Sequence, residues 1–264
     1  MLSDIMDEDA NQYPLMFIKF FTDSEHRESF LNGNVYSNTF DFMVQCEYKN
    51  GKGRGDAFEG INVMSNVHLK FNETESDKTF LEGTVGSHGL KTRINGTENM
   101  HMFCVTGVFN NWFEITEHIE NTVTCRLKIP EYFQILMRRE FGEHIVFFSA
   151  PDFINKLDVY GKENNLHILN GKVQYLNYSV NPKERIQAHI ENNEKFYFQK
   201  DIFFEGQEEY RFIFPGLVSE KAEVICLGSK IDVVEGIKTI DDLVNSDFGL
   251  MINFDKPFSE ADGI

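Results

Sequence analysis

The stretch FFEGQEEYRFIF, residues 203–214, places acidic and amide side chains and one arginine between aromatic residues. The alternation predicts a strand, and on a strand Gln207, Glu209 and Arg211 project from one face. Glu209 and Arg211 would lie about 7 Å apart along it, within reach of each other's side chains. This face could hold an ion-pair network, or it could present a carboxylate to a ligand or a transition state.

An ion-pair network at this position would include a charge from a neighbouring strand, for which Lys19 and Lys200 are the candidates. Such a network would hold the register of the sheet and would need no ligand. In the two other interpretations, Glu209 is a catalytic carboxylate, or it lines a pocket for a ligand or a partner together with Arg211. The residues of the stretch leave all three interpretations open.

A second group of polar side chains lies in KNGKGRGDAFEG, residues 49–60. Its glycines disfavour regular structure and predict a mobile surface loop. The loop lacks the Lys-Ser/Thr ending of a phosphate-binding P-loop, and an Arg-Gly-Asp adhesion signal needs an extracellular setting. Arg54, Asp56 and Glu59 are the candidate binding residues of this loop.

The histidines and cysteines predict no metal centre. The sequence contains neither HExxH nor CxxC, and the nearest pair, His101 and Cys104, lacks further ligands. We predict a structural histidine and a buried thiol at these two positions. The four scattered cysteines are typical of reduced thiols in a cytosol rather than of a disulfide framework.

The strongest global feature is a net charge of −17, from 42 acidic and 25 basic residues. The acidic excess lies at the two ends of the chain, in residues 1–60 and 201–264. A surface of this sign repels phosphate backbones, so we expect no direct nucleic-acid binding, and it attracts a basic surface of a protein partner. Asp241, Asp242 and Asp247 are the candidate contact residues of the C-terminal end.

A folded core must position these side chains, and 41% hydrophobic residues with 26 phenylalanines supply the material for it. We expect a single α+β domain over residues 1–264, with any subdomain boundary near residues 121–130. The acidic N-terminus and the lack of a long apolar run predict neither a secretory signal nor a membrane span. We therefore expect a cytoplasmic protein, and we leave self-association into a homo-oligomer open.

The apolar patterns predict a mixed, mostly antiparallel sheet with short helices packed on it. LMFIKFF predicts a buried first strand, and a short helix follows it. A longer helix begins at Pro130 and ends before Gly142, as a proline at the start and a glycine at the end indicate. FYFQKDIFF, residues 196–204, is predicted as a further strand of the sheet.

A series of short motifs resembles a widespread bacterial and phage family without a settled activity. In chain order the motifs are FIKFF, FLNGNVYSNT, GDAFEG, MFCVTGVF, GKVQYLNY and FQKDIFFEGQEEYRFIF. The resemblance spans nearly the whole chain. Because members of that family often lie near phage or phage-defence genes, it implies a phage-encoded or phage-defence-linked setting.

A looser resemblance is to ADP-ribosyltransferases of the Arg, Ser-x-Ser/Thr, Gln-x-Glu type. Gln207 and Glu209 match the Gln-x-Glu pair, and Ser37 and Thr39 match the second motif. Lys19 stands where those enzymes have an arginine or a histidine. The resemblance implies NAD as the cofactor, with Glu209 holding the nicotinamide ribose and stabilising an oxocarbenium-like state.

The leading interpretation is an acidic cytoplasmic protein that needs no cofactor and binds another protein. It would inhibit or regulate a protein complex that handles nucleic acid. The alternative is an NAD-dependent ADP-ribosyltransferase-like enzyme centred on Glu209. The two differ in geometry, because an enzyme needs Lys19, Ser37 and Thr39 in one open cleft with Glu209, whereas a binding protein can bury Glu209 in a closed ion pair.

Overall fold

The computed structural model describes residues 12–72, 79–86 and 89–254, and these form the α+β fold that the sequence predicts. The strands are β1 (Met16–Phe21), β2 (Asn34–Thr39), β3 (Asn62–Met64), β4 (Val67–Asn72), β5 (Thr79–Val85), β6 (Leu90–Thr92), β7 (Met100–Val108), β8 (Phe113–Ile119), β9 (Thr122–Leu127), β10 (His144–Ser149), β11 (Leu169–Lys172), β12 (Gln174–Leu176), β13 (Gln199–Asp201), β14 (Glu209–Val218), β15 (Glu223–Cys226) and β16 (Gly249–Asn253).

Short helices connect and cover the strands, as predicted. They are α1 (Ser24–Leu31), α2 (Phe40–Asn50), α3 (Glu131–Phe141), α4 (Ala150–Glu163), α5 (Lys183–Ile190) and α6 (Ile240–Val244). In the part of the chain that the structure describes, no helix is long and apolar enough to cross a membrane.

Strand β7 lies at the centre of the main sheet, whose order is β10-β1-β7-β14-β11, with β2 beside β7 and β15 beside β2. Strand β14 pairs along one edge of β7. On the other edge, β1 pairs with residues 106–108 and β2 pairs with His101 and Met102. All these pairs are antiparallel. Among the described strands, none pairs with residues 103–105 on that edge, so β7 has a gap between β1 and β2.

The smaller sheets are mostly antiparallel as well. They consist of β8, β9 and β16, of β3 and β6, and of β4 and β5. Strands β12 and β13 pair in parallel. The prediction of a mixed, mostly antiparallel sheet is therefore confirmed.

The two faces of the main sheet bury different side chains. Tyr210, Phe212 and Phe214 of β14 project into an aromatic cluster that α1 and α4 cover, with Phe153 of α4 at its centre. Glu209 and Arg211 alternate with them and project to the opposite face. The period-two pattern of the sequence predicts this division, and the structure confirms it from Glu209 onward. Gln207 lies before β14 in a 3-10 helix, and Glu208, with φ of 46°, ends that helix.

Several local predictions from the sequence are confirmed. The first strand covers Met16–Phe21, and Asp23 caps the helix after it by accepting a hydrogen bond from the backbone amide of His26. Helix α3 begins after Pro130, and Gly142 follows it with φ of 91°, which glycine adopts readily.

The predicted strand over residues 196–204 is wrong for most of its length. Short 3-10 helices cover Glu194–Phe198 and Ile202–Gln207, and only the three residues of β13 between them are extended. Asn193 and Asp201 accept hydrogen bonds from backbone amides two residues further on, which starts each turn. These local side-chain bonds override the strand preference of the aromatic residues.

The predicted surface loop of residues 49–57 is packed rather than exposed over much of its length. Asp56 is 2% exposed, and its backbone amide donates to the Met43 carbonyl oxygen at 3.2 Å. A Cβ atom on Gly55 would collide with that oxygen and with the Glu47 amide nitrogen. The glycine therefore permits a close approach of the loop to α2. The mobility of the loop stays a prediction.

Residues 121–130, where a subdomain boundary is expected, belong to a shared hydrophobic cluster. Val123, Cys125 and Ile129 of this segment pack in it with Ile18 of β1 and Phe147 of β10. The cluster thus joins the small sheet of β8, β9 and β16 to the main sheet. The division into domains stays a prediction.

Candidate functional site

Six ionisable side chains meet beside β14, and we call them the buried charge cluster. Its members are Asp56 and Glu59 from the segment between α2 and β3, Arg185 from α5, Lys200 from β13, and Glu209 and Arg211 from β14. Each is 6% exposed or less. Three carboxylates face three cations, so the cluster is neutral when all six are ionised.

Arg211 is the centre of the cluster, and its side chain is fully buried. Its two Nη atoms donate to the two carboxylate oxygens of Glu59, at 2.7 and 2.9 Å. Its Nε donates to Glu209 Oε1 at 2.5 Å, and Nη1 also donates to the Tyr197 carbonyl oxygen at 2.7 Å. Burial opposes the charge, but Glu209 and Glu59 outweigh it and hold the pKa of Arg211 well above its ordinary value.

Glu209 has both carboxylate oxygens bound within the protein. Oε1 accepts from Arg211, and Oε2 accepts from Lys200 Nζ at 2.7 Å. Lys200 also donates to Gln207 Oε1 at 3.0 Å. Burial alone would raise the pKa of Glu209, but Arg211 and Lys200 hold it far below its ordinary value. The carboxylate is therefore an ionised member of a closed network.

The segment between α2 and β3 closes over the cluster and is attached to it. Gln207 Nε2 donates to the Gly53 carbonyl oxygen at 2.7 Å, and Glu59 supplies the paired acceptors of Arg211. The backbone amide of Ala57 donates to a Glu47 carboxylate oxygen at 2.8 Å. These polar contacts explain why a glycine-rich segment lies against the sheet.

Asp56 is a member of the cluster whose pKa is shifted to near neutral pH. Its Oδ1 accepts from the Phe58 amide at 2.8 Å, while Oδ2 has no hydrogen-bond partner among the described residues. Burial and the negative charge of Glu59 raise the pKa of Asp56 to about 7, although Lys200 and Arg211 act in the opposite direction.

Arg185 joins the cluster to the backbone around β3. Its Nη2 donates to the carbonyl oxygens of Phe58, at 3.2 Å, and of Ile61, and its Nη1 donates to the Tyr178 hydroxyl. Burial lowers the pKa of Arg185 to about 10, against the attraction of Asp56 and other carboxylates. The guanidinium thus holds carbonyl groups of the segment that carries Asp56.

The four residues that match the transferase motifs are not brought together, which corrects the site that the resemblance implies. On β7, Thr39 pairs with His101, whereas Glu209 pairs with Thr106. Five residues along a strand span about 17 Å. Ser37 and Thr39 therefore lie at the opposite end of β7 from Glu209 and Gln207.

Ser37 and Thr39 have roles in the structure where they lie. Ser37 Oγ donates to the Glu223 carbonyl oxygen at 3.1 Å and hydrogen-bonds with His101 Nδ1 at 3.0 Å. Thr39 Oγ1 accepts from the Phe42 amide at 3.0 Å and so caps α2. Both hydroxyls are used to join β2 to its neighbours.

His101 is a structural histidine, as predicted. Its ring nitrogens hydrogen-bond with the hydroxyls of Ser37 and Ser219, at 3.0 and 3.1 Å, and burial lowers its pKa. Cys104 is partly buried, and burial raises the pKa of its thiol. Within residues 12–72, 79–86 and 89–254, no group of three or more metal-ligating side chains is placed to hold an ion.

The acidic candidates near the C-terminus lie on the surface, and each has a partner within the protein. Asp241 accepts two hydrogen bonds from Arg138, at 2.7 and 3.0 Å. Asp247 accepts one from Arg126 at 2.8 Å. Asp242 completes the capping box of α6. Their negative charge is thus partly balanced before any partner binds.

Lys19 and Arg54, two further candidates, meet at a cavity beside the cluster. The cavity has a volume of about 110 Å³ and opens to solvent. Lys19 Nζ donates to the Cys104 carbonyl oxygen at 2.7 Å, at the gap between β1 and β2. The polar residues that line the cavity are Lys19, Arg54, Cys104, Thr106, Lys200, Gln207 and Glu209.

Comparison of the chain with protein-family models, with curated proteins and with solved structures found no match. The two resemblances therefore stay predictions.

The sequence identifies part of the cluster correctly. Glu209, Arg211 and Lys200 form the ion-pair network that the strand pattern predicts, whereas Lys19 binds a carbonyl group instead of joining it. The sequence interpretation misses Arg185. A proline followed by KERIQAHI could have indicated a helix there. The burial of its arginine, however, depends on the distant segment whose carbonyl groups the side chain binds.

Proposed function

We propose that this chain is a cytoplasmic binding protein that docks on a basic surface of another protein. The observation that carries the proposal is an exposed apolar surface on α3 and the neighbouring 3-10 helix. We call it the α3 patch, and it consists of Tyr132, Ile135, Ile202 and Phe203. These side chains are 56%, 62%, 47% and 56% exposed, respectively. Clustered large apolar and aromatic side chains are typical of protein interfaces.

The two parts of the α3 patch lie on elements that pack closely against each other. Gly206 lies against Leu136, and a Cβ atom on Gly206 would come within 2.9 Å of the Leu136 side chain and 3.8 Å of Tyr132. Phe203 packs edge to face on the buried Phe204, which anchors it to the core. An exposed aromatic ring on a fixed support loses little side-chain entropy on binding.

The charges around the α3 patch favour a basic partner. Glu131 and Glu205 are exposed beside it. The pKa of Tyr132 is raised mainly by burial and further by the negative charges of Glu208 and Glu205. Cations at its edge include Lys52, whose ammonium lies 4.3 Å from the Phe203 ring centre. They also include Arg138 and Arg139 beside Ile135, which are paired with Asp241 and Glu140. Together with the net charge of −17, the acidic rim would steer a positively charged surface to this side.

The biological setting of the proposal comes from the resemblance to the bacterial and phage family. In a phage or phage-defence setting, a partner with a basic surface would be a protein that handles nucleic acid, since such proteins carry basic patches. We propose that the chain inhibits or regulates such a complex by occupying its protein surface, without contacting nucleic acid itself. Asp241, Asp242 and Asp247 would add to the attraction at longer range.

The transferase alternative has less support. Glu209 is closed in by Arg211 and Lys200. Thr39 pairs with β7 about 17 Å along the strand from Glu209, and Ser37 is bonded to His101 at the same end. An enzyme with this sequence would need an open cleft that brings these groups to one NAD molecule.

The proposal is tested with two matched variants. Ile135→Glu puts a charge into the α3 patch, and Val159→Glu puts the same charge at an exposed position of α4. Wild-type and variant proteins are immobilised and exposed to a nuclease-treated bacterial lysate. We expect one basic nucleic-acid-handling protein to bind wild type and Val159→Glu but not Ile135→Glu, and to dissociate as salt rises.

Three outcomes would contradict this. Capture of the same proteins by both variants would exclude the α3 patch as the interface. Capture from an untreated portion of the lysate, but not from the nuclease-treated portion, would indicate nucleic acid as the link. Self-association of the wild type that Ile135→Glu abolishes would identify the α3 patch as a homo-oligomer contact instead.

A further inference from the structure

The cavity beside the buried charge cluster lies where the main sheet is incomplete. Strand β1 covers residues 106–108 of β7 and β2 covers residues 101–102, so the edge between them is open. The Gly107 amide donates towards β14 and the Val108 carbonyl accepts from Leu15, on the β1 side. Because backbone groups alternate along a strand, the Cys104 carbonyl also points to the β1 side, into the gap.

Lys19 enters this gap from β1, where its ammonium binds a carbonyl oxygen rather than a carboxylate. One N–H of its ammonium donates to the Cys104 carbonyl oxygen at 2.7 Å, and the ammonium lies 4.7 Å from the Phe103 ring centre. Neither Lys19 nor Arg54 forms an ion pair with any residue in the described ranges. Both oxygens of Glu209, the carboxylate that lines the cavity, are bound by Arg211 and Lys200.

Among the residues that line the cavity, the three cations Lys19, Arg54 and Lys200 outnumber the one carboxylate, Glu209. The Glu140 carboxylate, which lies against Gly53, is paired with Arg139. A half-buried ammonium without a counter-ion is costly, and a bound anion would offset that cost. Burial lowers the pKa of Lys19, and the attraction of Cys104 and Glu209 opposes this effect only in part. A bound anion would oppose it further. Arg54 is exposed at the mouth, where it can attract the same anion from solvent.

The other walls of the cavity are apolar. They include Ile18 and Phe20 of β1, Met43 of α2, and Met137 and Phe141 of α3. The volume of about 110 Å³ is somewhat smaller than the roughly 150 Å³ of a cavity that holds benzene. The cavity is thus large enough for a short apolar chain together with a charged group.

We propose that this cavity binds a small free carboxylic acid in its ionised form. Lys19 and Arg54 hold the carboxylate by charge-assisted hydrogen bonds, and the methionine and phenylalanine side chains cover a tail of two or three carbons. Inorganic phosphate satisfies the cations but leaves the apolar walls without a partner, so it binds more weakly. This site is separate from the α3 patch, and its test is independent of the proposed protein partner.

Butyrate is the probe, titrated into the 15N-labelled full chain at constant ionic strength with chloride as the balancing ion. We expect saturable shifts of the backbone amides of Lys19, Cys104 and Thr106. Inorganic phosphate and n-butylamine are titrated in the same way. Phosphate is expected to cause weaker shifts of the same amides, and n-butylamine, which has the tail without the negative charge, is expected to cause none.

Lys19→Met removes the ammonium but keeps an unbranched side chain, and we expect it to weaken butyrate binding by at least about tenfold. Arg54→Met, at an exposed position, is a second variant that leaves the core intact and should also weaken binding. Lys162→Met is the matched control, because Lys162 is exposed at the end of α4. It should bind butyrate like the wild type.

The proposal is overturned if butyrate shifts do not saturate, or if they are equal in Arg54→Met and Lys162→Met. Equal shifts from n-butylamine would show that the tail alone binds. Saturable binding of phosphate without binding of butyrate would show an inorganic anion site and would exclude the apolar tail.

Discussion

Two parallel hydrogen bonds join the Arg211 guanidinium to the Glu59 carboxylate, across 152 positions of the sequence. They fix the segment between α2 and β3 to the middle of the main sheet. Both side chains are 1% exposed or less, so the pair is shielded from water and from salt. The contact lies beside Glu209, the residue for which the sequence suggests catalysis.

Arg211→Lys should therefore destabilise the protein although it keeps the positive charge. Lysine cannot bind both Glu59 oxygens in parallel or reach Glu209 at the same time, so part of the carboxylate charge stays unpaired. We expect a loss of about 3 kcal/mol in the free energy of unfolding, measured by urea denaturation. Arg139→Lys, at an exposed position of α3, should change it by less than about 0.5 kcal/mol. A small effect at Arg211 would show that the paired geometry does not matter.

Asp56→Asn should change how stability depends on pH. The pKa of Asp56 is about 7 in the folded protein, above the 3.8 of an exposed aspartate, so the folded state binds the proton more tightly. The stability from this proton is complete below about pH 4 and is lost as the pH rises towards 7. Relative to wild type, Asp56→Asn should gain up to about 4 kcal/mol between about pH 4 and pH 8.

The measurement for Asp56 is a set of urea denaturation curves across that pH range. Asp158→Asn, at an exposed position of α4, serves as the control and should follow the wild type. Because the measured quantity is the difference in unfolding free energy between variant and wild type, the contributions of the other carboxylates to the pH dependence cancel. A difference that does not change with pH would contradict the raised pKa.

Thr39→Ala tests whether the Thr39 hydroxyl serves to cap helix α2 or to bind a ligand. Loss of the Oγ1 acceptor leaves the Phe42 amide unbonded at the start of α2, and we expect about 1 kcal/mol of destabilisation. Thr39→Ser keeps the acceptor and should restore most of it. Equal stability of all three proteins would remove the structural explanation and favour a functional one.

The sequence predicts those parts of the site that depend on local periodicity. Glu209 and Arg211 are two residues apart, and a strand places such residues on one face whatever surrounds it. Their mutual contact and the aromatic opposite face follow from that rule. Glu209 binds Lys200 rather than Lys19 because of the order in which the strands lie in the sheet. The period-two pattern within one strand does not determine that order.

The parts that the sequence does not predict depend on contacts between distant segments. Glycines in residues 49–60 indicate freedom of the backbone, and the structure uses this freedom for close packing against α2. The aromatic run at residues 196–204 favours a strand, but Asn193 and Asp201 form local bonds that start 3-10 turns. Arg185 is buried because it binds carbonyl groups more than 120 positions away.

Glu209 is a structural member of the buried charge cluster, and the Glu209→Gln substitution tests this assignment. The substitution removes the charge that Arg211 and Lys200 share, and we expect a loss of about 3 kcal/mol in the free energy of unfolding. Lys200→Met in the same chain removes one of the unpaired cations, so the double variant should be less destabilised than the sum of the single ones by at least about 1 kcal/mol.

Urea denaturation of wild type, Glu209→Gln, Lys200→Met and the double variant is the one measurement that decides this, with the exposed Glu235→Gln as the control for a charge change alone. We expect a large loss of stability for Glu209→Gln, partial recovery in the double variant and no effect of Glu235→Gln. A Glu209→Gln protein as stable as wild type, with effects that simply add in the double variant, would contradict it.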